Sequence, residues 1–421
     1  MLFIANVLEL NGGTTFILRL AREFSKRGKK VGVLVLFDII DKSLEDKIRQ
    51  YADTFYLKDI ACDFSRRAFK SQLGGFIPIH FSKIDDLVKR YESHVHVMGV
   101  FGLLFVKRYL NKIAHDFKLS FGIYHQNEIM FGNIDYYFAL KAKALFSLLP
   151  AESIVFFNEK NRQSFEIFFG KSYAASTLIP IGVDIPVKDV GVTGDPQSDR
   201  IVSIGNLHEF KSYNRHVICM LPELKNTRPN LTYEIYGTGS YEPELVKLVS
   251  SLNLDSSVIF KGAIAYEDIP SVLKGALAFV GSGTAIVEAS ALGLPSIIGI
   301  ESTVDPITYG FLADIEGFSY NELNAGQKTY LIEDKLIQIM KGGDAWKTTA
   351  LSCKAKSQAF SVAHTANGFV ELENKRINLE LFSTEKYYNS VAAVSFLKCA
   401  IKHKFGWDRE FASRRNQGTL A

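Results

Sequence analysis

The sequence predicts an α/β protein of two domains, each built on a parallel sheet. Three observations predict it. The chain is 421 residues long, which is two domains of ordinary size. Met1 to Phe37 reads as strand, helix and strand, a complete βαβ unit, and that connection implies parallel strands. A second α/β series starts at Arg200 and centres on ALAFVGSGTAIVEASALGLPSIIGI, from Ala276 to Ile300.

Composition supports this class and excludes others. Hydrophobic residues make up 47% and charged residues 22%, a globular balance sufficient for two cores. A net charge of +4 is too small to imply nucleic acid. Cys62, Cys219, Cys353 and Cys399 are widely spaced and form no CxxC, so neither a zinc site nor a disulfide framework is indicated. The start, MLFIANVLEL, lacks a basic n-region and is interrupted by Glu9, unlike a signal peptide. The expectation is a reduced, cytoplasmic protein. No short repeat or low-complexity tract is present.

The elements follow in order. MLFIANVLEL opens as a buried strand. Asn11-Gly12-Gly13 reads as a turn, with Thr14 or Thr15 able to cap the helix that follows. Phe16, Leu20 and Phe24 share one face of it. Gly28 stops the helix and VGVLVLF is the next strand. Gly12 and Gly13 are either a plain turn or a loop left open so that a ligand can lie against the backbone. Residues 38–120 are harder to register. HVHVMGVFG ends as a strand whose His94 and His96 share a face, as surface histidines or a metal pair. LSFGIYHQNEI is a strand ending in His125, Gln126, Asn127 and Glu128. Polar residues at the carboxyl end of a parallel strand are where α/β proteins place ligands; a satisfied loop histidine is the alternative for His125. ESIVFFNEKNRQSFEIFFG is a strand and a helix starting near Asn158. STLIPIGVDIP leads into VKDVGVTGDPQSDR, which is rich in glycine and polar residues and reads as a linker.

In the second series, RIVSIGNL is a strand with Gly205-Asn206 at its exit, and Lys211 follows in the loop. A lysine just past a strand end is either a solvated charge or a phosphate contact. LTYEIYG leads to Gly237-Thr238-Gly239, whose glycines could be ordinary turn residues. A helix from Glu244 to Leu252 and the strand VIFKG precede the central stretch. The tail from Ser395 to Asn416 mixes apolar residues with Lys398, Lys402, Lys404, Arg409, Arg414 and Arg415 at helical spacing. It is either a solvated packing helix or a membrane-surface contact.

The central stretch reads as strand, glycine turn, helix, Gly-Pro break and strand. It is apolar enough for a membrane span, but its glycine breaks, Pro295 and Glu288 oppose that. Gly281 and Gly283 fit the start of a dinucleotide fingerprint, yet Ile286 takes the third glycine position and Glu301 comes early. Two readings remain. One is a buried βαβ unit with Glu288 tied up structurally. The other is a nucleoside-diphosphate site with phosphates on the helix start.

From Arg200 to about Ile300 the chain resembles the retaining glycosyltransferases of family 4. IGNLHEFK, LTYEIYGTG, VIFKG and GSGTAIVEASALGLPSI come in the family's order. STLIPIGVDIP looks like the inter-domain turn these enzymes write Pro-Asn-Gly-Val-Asp, and NGGTTFILRLAREFSKRGKKV like their N-terminal glycine loop and helix. The resemblance implies the GT-B fold, two Rossmann-like domains facing across a cleft. The domains would be an acceptor-side domain over 1–186, a linker over 187–199, a nucleotide-sugar-binding domain over 200–375, and a helical tail over 376–421 packing back on the first.

It also implies roles. Lys211 would contact the donor diphosphate and neutralise charge as the sugar leaves. Gly283 and Thr284 would offer backbone amides to the same phosphates. Glu288 would hold the ribose, Gly12 and Gly13 would border the phosphates, and His125 would lie beside the donor sugar. The family has an arginine where Asn206 stands, so Asn206 lines the donor site one cation short. It also has a glutamate eight positions before Glu288, where this chain has Val280. No Asp-x-Asp occurs, so no metal is expected. The implied enzyme is a metal-independent hexosyltransferase using a UDP- or GDP-sugar. Its acceptor would be a glycan or lipid-linked glycan in bacterial surface-polysaccharide assembly (O-antigen or capsule), with peripheral contact at the inner membrane face. A non-catalytic GT-B scaffold and a nucleotide-sugar epimerase are the alternatives.

Overall fold

A computed structural model of the protein describes every residue except 10–11, 62–67, 93, 111–117, 126, 132–133, 187–190, 325, 376, 378 and 409–421; of Leu110 it describes the backbone. Asn11, Cys62, Gln126, Arg409, Arg414 and Arg415 therefore lie outside the described residues. The chain forms two compact units. One comprises Met1–Gly182 and the chain from Val362 onward; the other is Val183–Ser361. Both are Rossmann-like, as the sequence predicts.

The first unit holds seven parallel strands, β1 (Leu2–Ala5), β2 (Gly32–Val35), β3 (Asp53–Tyr56), β4 (His94–Met98), β5 (Lys118–Ile123), β6 (Ile154–Phe156) and β7 (Thr177–Leu178), in the order β3-β2-β1-β4-β5-β6-β7. β1 and β2 are buried along their whole length, which is why they read as unbroken apolar runs rather than alternating ones. Side chains still alternate between faces. Leu2 and Ile4 enter one core with Val95, Val97 and Phe121. Phe3 and Ala5 enter a second core on the other face, with Phe16, Leu20 and Phe24 of the Gly12–Lys26 helix.

That helix begins at Gly12, so Gly12 and Gly13 form its first turn instead of preceding it. Thr15 consequently sits inside the helix, and its hydroxyl donates to the Gly12 carbonyl at 3.1 Å instead of capping. His94 and His96 are not surface residues. They are buried, and both bond the Ser120 hydroxyl, at 3.1 and 2.8 Å.

The division of the chain departs from expectation at its C-terminal side. Residues 362–375 belong with the first sheet. The Val362–Asn374 helix lies on the Gly12–Lys26 helix, where Arg27 donates to Asn367 at 2.6 Å and to the Ala363 carbonyl at 3.0 Å. Phe369 inserts among Phe3, Phe16 and His96; truncating such a side chain to alanine costs about 3–5 kcal/mol. The Asn389–Lys404 helix follows, and its Phe396 packs on Phe76, Phe101 and Phe138.

The second unit holds β8 (Arg200–Ile204), β9 (Thr232–Tyr236), β10 (Val258–Gly262), β11 (Ala278–Gly281) and β12 (Ser296–Ile298), parallel, in the order β10-β9-β8-β11-β12. Residues 191–199, expected as linker, are packed on this unit. Thr193 bonds the Leu292 carbonyl through both its amide and its hydroxyl. The Asp195 amide donates to Ala276, and the Trp346 indole closes over Gly194 while bonding the Leu277 carbonyl at 2.8 Å.

Candidate functional site

In the second sheet β8 and β11 are neighbours, yet the chain leaves β8 toward β9 and β11 toward β12. Connections that part in this way leave a crevice at the carboxyl ends, where open α/β sheets bind ligands. Asn206 and Lys211 follow β8; Ser282, Gly283, Thr284 and Glu288 follow β11. The structure thus brings five sequence-predicted residues to one edge.

On the β8 side, the loop is locked to the exit of β9. Gly205 donates to the Tyr236 carbonyl at 2.9 Å and Leu207 to the Thr238 carbonyl at 3.0 Å. The approach is so close that a Cβ on Gly237 would stand 1.9 Å from the Gly205 oxygen, and one on Gly239 2.1 Å from the Leu207 oxygen. These are not ordinary turn glycines; they set where Asn206 and Lys211 lie. Asn206 is exposed. The Lys211 ammonium folds back over Gly205, 3.0 Å from where a side chain there would begin. The buried Tyr213 hydroxyl approaches the same point at 3.7 Å and supports the Lys211 ammonium. Burial disfavours the charge on Lys211, but Tyr213 and Glu301 outweigh it and lift its pKa above the usual lysine value. A held cation at the carboxyl end of a parallel sheet is a site for an anion.

On the β11 side, Ser282 precedes the Gly283–Ala291 helix, and its hydroxyl donates to Glu301 at 2.7 Å. The Gly283 amide is not left open for phosphate: it donates to the Asn321 side-chain oxygen at 2.8 Å. The Tyr320 hydroxyl donates to the Gly283 carbonyl at 2.9 Å. Glu288 lies one turn further on, buried, and acts electrostatically on Tyr320 together with Glu322 and Glu301. Val280 is fully buried within β11, so the acid that the resemblance puts there has no counterpart at that position.

Glu301 is the residue that sequence reasoning placed in another role. It follows β12, bonds Ser282, and is attracted to Lys211. Burial pushes its pKa above the usual carboxylate range, against the pull of Lys211 and Ser282. Glu301 therefore joins the two sides of the crevice. Its only signal in the sequence was its place at the end of an apolar strand. Asn321 and Tyr320 gave none.

The first unit has its own point of divergence, between β1 and β4. A Cβ on Gly99, after β4, would meet the Asn6 amide at 2.5 Å and the Glu128 carboxylate at 3.2 Å. Glu128 also accepts from the Tyr124 amide at 3.1 Å, and the Asn6 side-chain oxygen is buried without a partner. His125 sits in this turn, accepting from the Asn127 amide at 3.3 Å. Gly12 and Gly13, at the start of their helix, follow β1. Behind the turn, His96 bridges Ser120 and the Tyr124 hydroxyl, each at 2.8 Å. Burial holds His96 well below the ordinary histidine pKa.

Among the described residues, no group of three or more His, Cys, Asp or Glu is placed to hold a metal ion. No helix among them is long and apolar enough to cross a membrane.

Comparison with known proteins bears on the second unit most directly. Residues 192–305 match the family described as glycosyl transferases group 1. No curated protein sequence matches the chain. Solved structures match over most of it. HepE of Anabaena, in complex with UDP and glucose, has a TM-score of 0.59 at 16% identity, covering 89% of this chain and 98% of its own. A glycosyltransferase of Rickettsia africae has a TM-score of 0.61 at 14% identity, covering 91% and 99%. A point mutant of TarM of S. aureus, in complex with fondaparinux, alpha-GlcNAc-glycerol and UDP, has a TM-score of 0.59 at 13% identity, covering 89% and 100%. At these identities the likeness establishes the fold. The group 1 match over β8 to β12 and the shared GT-B fold together support a nucleotide-sugar glycosyltransferase.

Proposed function

We propose that the protein transfers a hexose from a UDP- or GDP-sugar to a glycan or lipid-linked glycan, with retention and without a metal. The observation that carries this is the Lys211 ammonium, held over Gly205 beside the buried Tyr213 hydroxyl at the switch point of a group 1 domain. A fixed cation there stabilises the diphosphate as negative charge develops on it. Glu288, buried one turn into the next helix, takes the ribose hydroxyls. Thr284 offers an amide at the helix start; Gly283 does so once Asn321 gives way. His125, Gly12 and Gly13, at the equivalent edge of the first sheet, serve the donor sugar and its phosphates. The UDP in the HepE complex favours a uridine donor. The proposed setting is the cytoplasmic face of the membrane, in assembly of a bacterial surface polysaccharide.

The buried Val280 and the exposed Asn206 favour one second reading, a GT-B scaffold that binds a nucleotide-sugar without turning it over. Incubation with labelled UDP- and GDP-hexoses and a lipid-linked glycan extract separates the two. Label in the lipid fraction, lost in Lys211→Ala, supports transfer. Binding without transfer supports the scaffold. Conversion of the nucleotide-sugar with no acceptor present supports an epimerase. The anomeric configuration of the product tests retention.

A further inference from the structure

We infer that the outer face of the Asn389–Lys404 helix docks on an anionic phospholipid bilayer. The helix is apolar on two opposite sides. Ala392, Phe396 and Cys399 enter the core of the first unit. Val391, Val394, Leu397, Ile401 and Phe405 follow one another at steps of three and four residues, so they form a single stripe. All five are exposed, Val394 to 69% and Phe405 to 62%. A helix apolar all round ordinarily has both sides covered, and an apolar face left open on this scale marks an interaction surface.

Charge names the occupant. The helix carries Lys398, Lys402, His403 and Lys404 and no acid. Lys398 and Lys404 are exposed beside the stripe, and the Lys402 ammonium lies over the Tyr136 ring, 5.8 Å from its centre. Past the helix end, Trp407 is 73% exposed and stacks on Phe405 at 5.1 Å. Aromatic rings with lysines beside an apolar stripe match the boundary between acyl chains and headgroups, with the ammonium groups reaching anionic lipid. An open groove of about 430 Å³, whose lining includes Val391, Val394 and Tyr136 with Lys398 and Asp135, runs alongside and adds apolar surface to the face. A second copy of the chain is a poorer occupant, because it would set these lysines against each other.

This extends the lipid-linked acceptor proposed above, and it uses none of the residues assigned to the donor. UDP binding measured on the same samples therefore reports on the donor reading separately. The test is sedimentation of the full chain with vesicles of phosphatidylcholine alone and with added phosphatidylglycerol. Trp407 emission is the second readout, since the chain's other tryptophan, Trp346, is buried in the second unit. Binding to phosphatidylglycerol vesicles with a blue shift, weakened about tenfold or more by paired Val394→Asp and Ile401→Asp, supports the inference. Weakening and loss of salt dependence in a Lys398→Gln, Lys402→Gln, Lys404→Gln variant supports it independently, should the aspartates unfold the helix. No sedimentation with either vesicle overturns it, as does binding that neither set of substitutions changes. A dimer dispersed by the Val394→Asp pair would also overturn it, in favour of a second copy.

Discussion

Gly237→Ala tests the link between fold and site most sharply, because its effect follows from geometry. Gly237 has φ +138°, and an added Cβ would lie 1.9 Å from the Gly205 oxygen, where a Cβ requires at least 3.0 Å. The two strand exits must then part by about 1.1 Å. The bonds that join them, Gly205 to Tyr236 at 2.9 Å and Leu207 to Thr238 at 3.0 Å, cannot survive that opening. Two lost bonds at about 1 kcal/mol each, with about 1 kcal/mol or more of backbone strain, give about 3 kcal/mol. The displaced loop carries Asn206 and leads to Lys211, so UDP affinity falls about tenfold as well. Urea unfolding in a Trp407→Phe background, followed by Trp346 fluorescence, reports on the second unit alone, since Trp346 is buried there. Gly262→Ala is the control: it also has positive φ, but nothing stands within 4 Å of its Cβ. It should cost about 1 kcal/mol and leave affinity unchanged. A loss under about 0.5 kcal/mol in Gly237→Ala, with UDP affinity intact, would refute the reasoning.

Two further predictions concern charge. Glu301→Gln removes a carboxylate that competes with a diphosphate for Lys211, so UDP should bind about 3- to 10-fold more tightly at neutral pH. The pKa of Glu301 is raised; its contribution to stability is therefore full below the ordinary carboxylate range and is lost as pH rises through the raised value, a loss the glutamine variant lacks. Unchanged or weaker UDP binding in calorimetry would count against this. The pKa of His96 is depressed, by burial first and by His94 second. Its contribution is present above the ordinary histidine value of about 6.5 and lost as pH falls below it. His96→Gln should unfold with a flatter pH dependence there; equal slopes in the two proteins would show that His96 does not titrate in that way.

Much of this architecture is legible in local pattern. The first βαβ unit and the order of strands from Arg200 to Ile300 follow from apolar runs of strand length, with glycine at their ends. What the sequence hides is long-range. Residues 362–375 look like a continuation of the second domain, yet Phe369 packs on Phe3 and Phe16 more than 350 positions earlier. His94 and His96 look like surface residues because histidines alternating with valines mimic a half-exposed strand; their partner, Ser120, is on another strand. At the site, Lys211 and Glu288 stand out as a loop cation and a lone acid in an apolar stretch. Glu301, Tyr213 and Asn321 do not, because what defines them is a carboxylate facing a distant lysine, a hydroxyl that supports that lysine and an amide already taken.

Calorimetric titration of the purified protein with UDP and with GDP, alongside Lys211→Ala and Glu288→Ala, tests the central claim most directly. The account predicts that one nucleotide binds and that each substitution weakens it about tenfold or more, the loss expected for a charge-assisted contact. Binding of neither nucleotide, or equal affinity in both variants, would contradict it.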